Sequence, residues 1–127
     1  MKTISVLVVD DHHSLRRNLV AMLEDEGFVV HGVGSGEEGL QALKTFPADL
    51  ALVDMRLPGM DGNEFILAAH AANAALNFIV LTGSVDYVLP DELCRIGLSD
   101  QAVFMKPLAD PAAFIGYLHA QVGKRRE

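Results

Sequence analysis

Cysteine is nearly absent from this sequence, which rules out a fold held together by disulfide bonds. Cys94 is the single cysteine, so no pair can form within the chain. It lies in an apolar helical pattern, where a buried structural thiol is expected. The composition is therefore compatible with a reducing cytosol.

Long hydrophobic runs and an excess of positive charge are also missing. No apolar stretch is long enough to cross a bilayer, and the first apolar run ends at the charged pair Asp10-Asp11, unlike a secretion signal. Seventeen acidic residues oppose 10 basic ones, which gives a formal net charge of -7. Such a surface repels a polyanion. We therefore expect a cytoplasmic protein with no membrane partner and no direct nucleic-acid partner.

The length leaves room for one domain. A chain of 127 residues, half of them apolar, can bury a core but cannot divide into two. We expect the domain to occupy residues 1–122. Residues 123–127 contain Lys124, Arg125 and Arg126, and they form either a basic C-terminal tail or the start of a linker.

Short apolar runs rich in β-branched residues predict five strands. Most are continuously apolar, as strands buried on both faces of a parallel sheet require. The runs are Ile4 to Val9, Phe28 to Val33, Leu50 to Val53, Phe78 to Leu81 and, more weakly, Ala102 to Met105.

Helical patterns follow each of these runs. Gly27 is placed to end the first helix, Ser35 has capping-box spacing with Glu38 before the second, and Asp110-Pro111 begins the last. Pro90 to Ile96 predicts a short fourth helix. The order βαβαβαβαβα indicates an α/β fold, a five-stranded parallel sheet with helices on both faces, doubly wound and flavodoxin-like.

Polar residues follow four of the predicted strands at the edge where such sheets bind ligands. Three carboxylates meeting there would repel one another unless cations neutralise them. Lys106 is one such cation, and a divalent ion is the other. Oxygen ligands favour Mg²⁺. The residues at this edge are Asp10, Asp11, Asp54, Thr82 and Lys106.

A carboxylate nucleophile beside a metal ion, a hydroxyl group and a lysine is typical of phosphoryl transfer. The metal ion and Lys106 neutralise the phosphoryl oxygens while Asp54 attacks in line. The sequence therefore predicts that Asp54 becomes phosphorylated.

With these motifs the chain resembles the receiver domain of two-component response regulators over essentially its whole length. The shared stretches are Val6-Leu7-Val8-Val9-Asp10-Asp11, Leu52-Val53-Asp54-Met55-Arg56-Leu57-Pro58-Gly59-Met60-Asp61-Gly62, Leu81-Thr82-Gly83 and Lys106-Pro107.

The resemblance implies that Asp54 accepts a phosphoryl group from the phosphohistidine of a sensor histidine kinase or phosphotransfer protein. It implies that Mg²⁺ is bound by Asp10 and by Asp11, the latter directly, together with Asp54 and the backbone carbonyl of Arg56. Thr82 and Lys106 would then contact phosphoryl oxygens. A cis peptide bond before Pro107 would aim the lysine.

The resemblance also implies a signalling domain that is not an enzyme in the usual sense, although it promotes its own phosphorylation and dephosphorylation. The message would leave through the face formed by the fourth helix, fifth strand and fifth helix. A downstream output domain or protein partner, or a second copy in a homodimer, would bind there.

The output face departs from the family pattern. Val103 stands where receivers usually carry a tyrosine or phenylalanine that rotates inward, and Phe104 is one place later. Successive strand residues point to opposite faces, so Phe104 cannot replace it. We expect the usual aromatic switch to be absent or rerouted. Arg56 and Ser84 occupy positions where receivers tune the phosphoryl lifetime.

Several other features have simpler interpretations. Gly34 to Gly39 satisfies G-x-G-x-x-G, but Glu37 and Glu38 would oppose a pyrophosphate, so nucleotide binding is not expected. His12 and His13 could add metal ligands, yet a solvated loop is favoured, and Asp61-Gly62 predicts a turn. The isolated histidines His31, His70 and His119 are expected to be structural.

Two other classes of function remain open at this point. An aspartyl-nucleophile phosphatase uses similar groups, but it needs an acid two residues after the nucleophile, where this chain has Arg56. A degenerate receiver that serves only as an interaction module would lack at least one residue of the acceptor site, yet all are present.

Overall fold

A computed structural model describes residues 3–125 of the chain. Five parallel strands alternate with five α-helices, which confirms the predicted order. The strands are β1 (Ser5–Val9), β2 (Val29–Val33), β3 (Leu50–Asp54), β4 (Asn77–Thr82) and β5 (Val103–Met105). The helices are α1 (His13–Asp25), α2 (Gly36–Ala42), α3 (Gly62–Ala72), α4 (Asp91–Arg95) and α5 (Pro111–Arg125). A short 3-10 helix, Asp100–Ala102, precedes β5.

The strand order in the sheet is β2-β1-β3-β4-β5. Because the chain moves from β1 outward to β2 and then back past β1 to β3, the direction of winding reverses between β1 and β3. In register, Val9 lies beside Val53 and Asp54 beside Leu81. The residues that follow β1 therefore meet the end of β3 at the switch point, where open parallel sheets bind ligands.

Two apolar cores lie on opposite faces of the sheet. One contains Phe65 of α3 and Leu93 of α4, and the other contains Leu23 of α1 with Phe114 of α5. All four side chains are fully buried. Helices cover both faces of the sheet, as the sequence predicts, because the central strands are apolar on both sides.

The prediction of a strand buried on both faces is wrong for β2. Only Val33 of this strand is buried, and Val29 is 48% exposed. The reason is its position, because β2 is an edge strand that pairs with β1 alone. An apolar composition does not distinguish an edge strand from a central one.

Local capping explains several of the helix boundaries. Ser35 caps α2 by accepting a hydrogen bond from the Glu38 N–H, as the capping-box spacing predicts. Asp61, predicted only as part of a turn, is the N-cap of α3 and forms a capping box with Glu64. Gly27 follows α1 with a φ of +93°, a conformation that glycine adopts readily.

The prediction of a buried thiol at Cys94 is also wrong. Cys94 is exposed on α4, while its neighbour Leu93 occupies the buried position. The helix is only five residues long, so its apolar pattern is too short to show which residue faces the core. Within residues 3–125, no helix is long and apolar enough to cross a membrane.

Gly62 allows the start of α3 to pack against the strand that carries Asp54. A Cβ atom at this position would lie 2.7 Å from the Asp54 carbonyl oxygen and 2.8 Å from the Met55 Cα. We expect Gly62→Ala to lower the free energy of unfolding by about 2 kcal/mol, measured by urea denaturation, because backbone atoms would have to move. Gly116→Ala is the control, since its Cβ would meet no atom within 4 Å. Equal stabilities for the two variants would contradict this packing.

Candidate functional site

The ends of β1 and β3 bring two buried carboxylates together. Asp10 follows β1 and is 0% exposed, and Asp54 ends β3 and is 2% exposed. Asp11 is more accessible and lies beside them at the mouth of the site. We call the site formed by Asp10, Asp11, Asp54 and Lys106 the acidic cleft.

Backbone contacts hold Asp10 in place. Its N–H donates to the Val33 carbonyl at 3.1 Å, and Arg16 Nη1 donates to its carbonyl at 2.7 Å. Its carboxylate Oδ1 accepts the His12 N–H at 2.9 Å. The buried carboxylate is therefore fixed in position by the first turn of α1 and by β2.

Lys106 lies close to both buried carboxylates, and its single positive charge can offset only one of their two negative charges. Its Nζ lies 3.5 Å from Asp10 Oδ2 and 3.3 Å from Asp54 Oδ2, and its side chain is largely buried. Its backbone N–H donates to the Thr82 carbonyl at 2.8 Å. The peptide bond between Lys106 and Pro107 is cis, as the resemblance implies.

Asp54 has one oxygen that is only partly satisfied. Oδ1 accepts the Arg56 N–H at 3.1 Å. Oδ2 is buried and has no hydrogen-bond partner among residues 3–125, although it lies near Lys106. Burial raises the pKa of Asp54 above 3.8 and Asp10 adds to the rise, while the Arg56 N–H and Lys106 oppose it. The carboxylate is thus short of positive charge.

The donor atoms of the acidic cleft suit a divalent cation. One ligand atom from each of Asp10, Asp11, His12 and Asp54 lies within 4.8 Å of all the others. Carboxylate oxygens are ligands that Mg²⁺ prefers, and the unsatisfied Asp54 Oδ2 belongs to this group. The residues present therefore fit a metal site. The role of the Arg56 carbonyl as a further ligand stays a prediction.

Beside these groups, a cleft of about 480 Å³ is lined by residues from the ends of three strands. Asp54, Gly83 and Lys106 form part of its wall, together with Arg56 and the start of α1. A cleft of this kind gives a small anionic group access to Asp54.

Thr82 lies at the same edge but does not yet contact the carboxylates. It is buried at the end of β4, and its hydroxyl oxygen accepts the Ser84 N–H at 3.1 Å. Thr82 pairs with Met105 in the register of β4 and β5, and its carbonyl accepts the Lys106 N–H. The predicted contact of Thr82 with a phosphoryl oxygen would require this hydroxyl to change partner.

Both histidines at the start of α1 are exposed, as expected, but they make different contacts. His12 Nδ1 lies 3.3 Å from oxygens of both Asp10 and Asp11, although 66% of its side chain is exposed. His13 instead contacts Arg16. The sequence alone cannot separate these neighbours, because their directions depend on where α1 begins. Of the isolated histidines, His31 packs near Phe46 and His119 near Phe28.

The glycine-rich segment from Gly34 to Gly39 has a structural role. Glu37 Oε2 accepts the Met60 N–H at 3.2 Å, which ties the segment to the loop after β3. Ser35 caps the following helix. These groups are engaged within the chain, and the absence of nucleotide binding here stays a prediction.

The two residues of β5 that bear on the output face point to opposite sides of the sheet. Phe104 packs edge-on against Phe114 and Tyr117 of α5, while Val103 joins the core on the α3 and α4 side. This placement agrees with the expectation that Phe104 does not replace the usual aromatic residue. Tyr87, which no pattern in the sequence indicates, packs against the same core as Val103.

Comparison with known proteins gives consistent matches. Residues 6–114 match the family described as the response regulator receiver domain. The transcriptional regulatory protein FixJ of Azorhizobium caulinodans is 30% identical over 126 residues, which cover 99% of this chain and 58% of that protein. The DNA-binding response regulator MtrA of Mycolicibacterium smegmatis is 36% identical over 122 residues, covering 96% of this chain and 52% of MtrA. The chain thus spans about half the length of these relatives.

Solved structures show the same fold. A CheY-like response regulator receiver domain from Methanospirillum hungatei matches with a TM-score of 0.81 and 26% identity, covering 98% of both chains. The signal receiver domain of an HD domain-containing protein from Pseudomonas fluorescens matches with a TM-score of 0.83 at 21% identity, again over 98% of both chains.

We expect Asp54→Asn to stabilise the protein by about 1 kcal/mol at neutral pH when divalent ions are chelated, because it removes a buried negative charge beside Asp10. The folded protein binds the Asp54 proton more tightly than the unfolded chain, since the pKa is raised. The contribution of Asp54 is therefore favourable below pH 3.8 and is lost as the pH rises through its folded pKa. Urea denaturation across this pH range measures the effect. A variant that is less stable than the native chain at neutral pH would contradict it.

We expect Tyr87→Phe to raise the free energy of unfolding by about 1 kcal/mol, because the Tyr87 hydroxyl is buried without a partner among the described residues. The pKa of this phenol is raised by burial and, to a lesser extent, by Cys94. Tyr117→Phe is the matched control, and we expect a change within about 0.5 kcal/mol. A clear loss of stability in Tyr87→Phe would show that the hydroxyl is hydrogen-bonded.

Proposed function

This chain belongs to the response regulator receiver domain family of two-component systems, and we propose that Asp54 is the residue that accepts its phosphoryl group. The observation that carries this proposal is the buried Asp54 carboxylate at the sheet switch point, with Lys106 Nζ at 3.3 Å and one oxygen unsatisfied. Asp11 is the nearby alternative acceptor, but Lys106 pairs with Asp10 and Asp54 instead.

The phosphoryl transfer is a displacement at phosphorus. An Asp54 oxygen forms the new bond to phosphorus while the bond from phosphorus to the donor's histidine nitrogen breaks, and that nitrogen keeps the electron pair. As a carboxylate, Asp54 has no proton to lose before it attacks. Lys106, whose Nζ lies 3.3 Å from Asp54 Oδ2, would neutralise charge on an oxygen of the phosphoryl group at Asp54.

We assign Mg²⁺ as the cofactor, which would be held by Asp10, Asp11 and Asp54 with the Arg56 carbonyl. The ion supplies positive charge to the phosphoryl oxygens. The support for this assignment is the charge of the acidic cleft, in which the carboxylates outnumber the single ammonium group of Lys106. Without added positive charge, an incoming phosphoryl group would be repelled.

Thr82 and its loop would carry the change away from the cleft. Phosphorylation adds nearly two negative charges and three acceptor oxygens. The Thr82 hydroxyl would exchange its bond to the Ser84 N–H for a bond to a phosphoryl oxygen, because a charged acceptor forms the stronger hydrogen bond. The loop from Gly83 to Pro90 leads into α4, so the α4, β5 and α5 face is the proposed output surface.

The proposed partners are a sensor histidine kinase or phosphotransfer protein upstream and an output domain or protein downstream. Relatives about twice as long carry names that describe transcriptional regulation and DNA binding. The net charge of -7 argues against direct nucleic-acid binding by this domain.

We further propose a cytoplasmic location and a domain that spans residues 1–122. A homodimer through the output surface is proposed as one mode of signalling.

The residue two positions after Asp54 favours a signalling role over a phosphatase role. Arg56 is exposed there and lines the cleft, and it cannot serve as the general acid of an aspartyl-nucleophile phosphatase. We therefore propose that phosphate turnover is limited to the loss of the phosphoryl group from Asp54.

Acetyl phosphate treatment followed by intact mass measurement tests the proposal. We expect the native chain to gain one phosphoryl group with Mg²⁺ and none with chelator, and Asp54→Asn to gain none. Lys106→Met should react about a hundredfold more slowly, the usual effect of removing one group that stabilises developing charge. Borohydride reduction and peptide mapping would locate the acyl phosphate.

Asp61→Asn is the control, because it makes the same change at an exposed helix cap where asparagine serves equally well. It should be phosphorylated like the native chain. A mass gain that persists in Asp54→Asn would refute Asp54 as the acceptor, and many phosphates released per protein molecule would favour the phosphatase.

A further inference from the structure

His12 places a ring nitrogen in the mouth of the acidic cleft. Its Nδ1 lies 3.3 Å from Asp10 Oδ1, 3.3 Å from Asp11 Oδ1 and 3.8 Å from Asp54 Oδ2. The three carboxylates come from the ends of two strands, whereas His12 comes from the N-cap of α1. A single nitrogen atom therefore stands next to every carboxylate of the site.

These spacings suit donor atoms that share one ion. Neighbouring ligands of an octahedral ion bound at about 2.1 Å lie about 3 Å apart. The separations between His12 Nδ1 and the three oxygens are 3.3 to 3.8 Å, so small side-chain movements would bring them around a common centre. The ring is more than half exposed and is free to make such a movement.

A second observation points to a ligand at this place. Asp54 Oδ2 is buried and lacks a hydrogen bond to any residue in the part of the chain that is described, yet it faces both His12 and Lys106. The contact with His12 at 3.8 Å is too long for a hydrogen bond. An ion between His12 Nδ1 and Asp54 Oδ2 would give Asp54 Oδ2 a partner, and it would replace the present contact of His12 Nδ1 with Asp10 Oδ1 at 3.3 Å.

We propose that His12 Nδ1 is a ligand of the divalent ion in the acidic cleft, and that it shifts the site's preference from Mg²⁺ towards first-row transition ions. Imidazole nitrogen suits ions such as Co²⁺ and Zn²⁺, whereas Mg²⁺ prefers oxygen. This inference rests on the proposed function for the presence of a metal ion. It adds a nitrogen ligand to a site that the resemblance describes through oxygen atoms.

The adjacent residue provides a matched control. His13 has the same side chain and is also exposed, but its Nδ1 contacts Arg16 Nη2 at 3.1 Å, away from the carboxylates. Removing either imidazole changes the composition equally. Only His12 should alter metal binding.

The experiment is a calorimetric titration of the full chain with Co²⁺ and with Mg²⁺, at one pH above neutrality. We expect His12→Ala to lower the ratio of Co²⁺ affinity to Mg²⁺ affinity at least about tenfold, the lower end of the loss seen when even the partners of metal ligands are removed. His13→Ala should leave the ratio unchanged. The visible absorption of bound Co²⁺ should also change in His12→Ala, since its ligand field loses a nitrogen.

Two results would overturn the proposal. If the His12 ring instead occupies the position of a cation in the acidic cleft, His12→Ala would increase the affinity for both ions, because the ring no longer competes with them. If His12 only positions the carboxylates, the affinity for both ions would fall by the same factor. Circular dichroism of each variant establishes that the fold is intact.

The titrations contain no phosphodonor, so their outcome is independent of phosphoryl transfer. An unchanged affinity ratio beside normal Mg²⁺-dependent phosphorylation of the native chain would reject the His12 ligand and leave the proposed function in place. Nitrogen ligation in a native chain that is not phosphorylated would support the His12 ligand and reject the proposed function.

Discussion

The burial of two carboxylates side by side, with one ammonium group between them, is the constraint on which the rest of the structure depends. Asp10 and Asp54 are almost entirely shielded from water, and Lys106 reaches both. Like charges a few ångströms apart repel by several kcal/mol at the effective dielectric near a protein surface. The strand order places β1 and β3 side by side, and Lys106, which follows β5 at the same edge of the sheet, supplies the compensating charge.

This charge balance links the site to signalling. Three carboxylates against one lysine leave a deficit that a divalent cation can fill, and a phosphoryl group on Asp54 would then invert the local balance by adding anionic oxygens. The groups able to respond to the added charge are those whose hydrogen-bond partners can change. The Thr82 hydroxyl is one, because its present bond to the Ser84 backbone is a neutral contact within a loop that leads to α4.

Much of the fold and of the site could be predicted from the sequence, because strand-end residues follow directly from apolar runs. The position of Asp54 after Leu50–Val53 is enough to place it at the ligand edge. Features that depend on tertiary position could not be predicted. The exposure of β2 follows from its place at the sheet edge, and the direction of His12 follows from where α1 begins. The Tyr87 hydroxyl is buried although Tyr87 lies in a loop with little sequence pattern.

A crystal structure of the chain with Mg²⁺ and beryllofluoride, a stable analogue of the phosphoryl group, tests the central claim most directly. We expect the analogue to be bonded to a carboxylate oxygen of Asp54, with Lys106 Nζ and the Thr82 hydroxyl on its fluorine atoms and the cation between Asp11 and Asp54. An analogue bonded to Asp10 or Asp11, or a Lys106 side chain that turns away from it, would contradict the account.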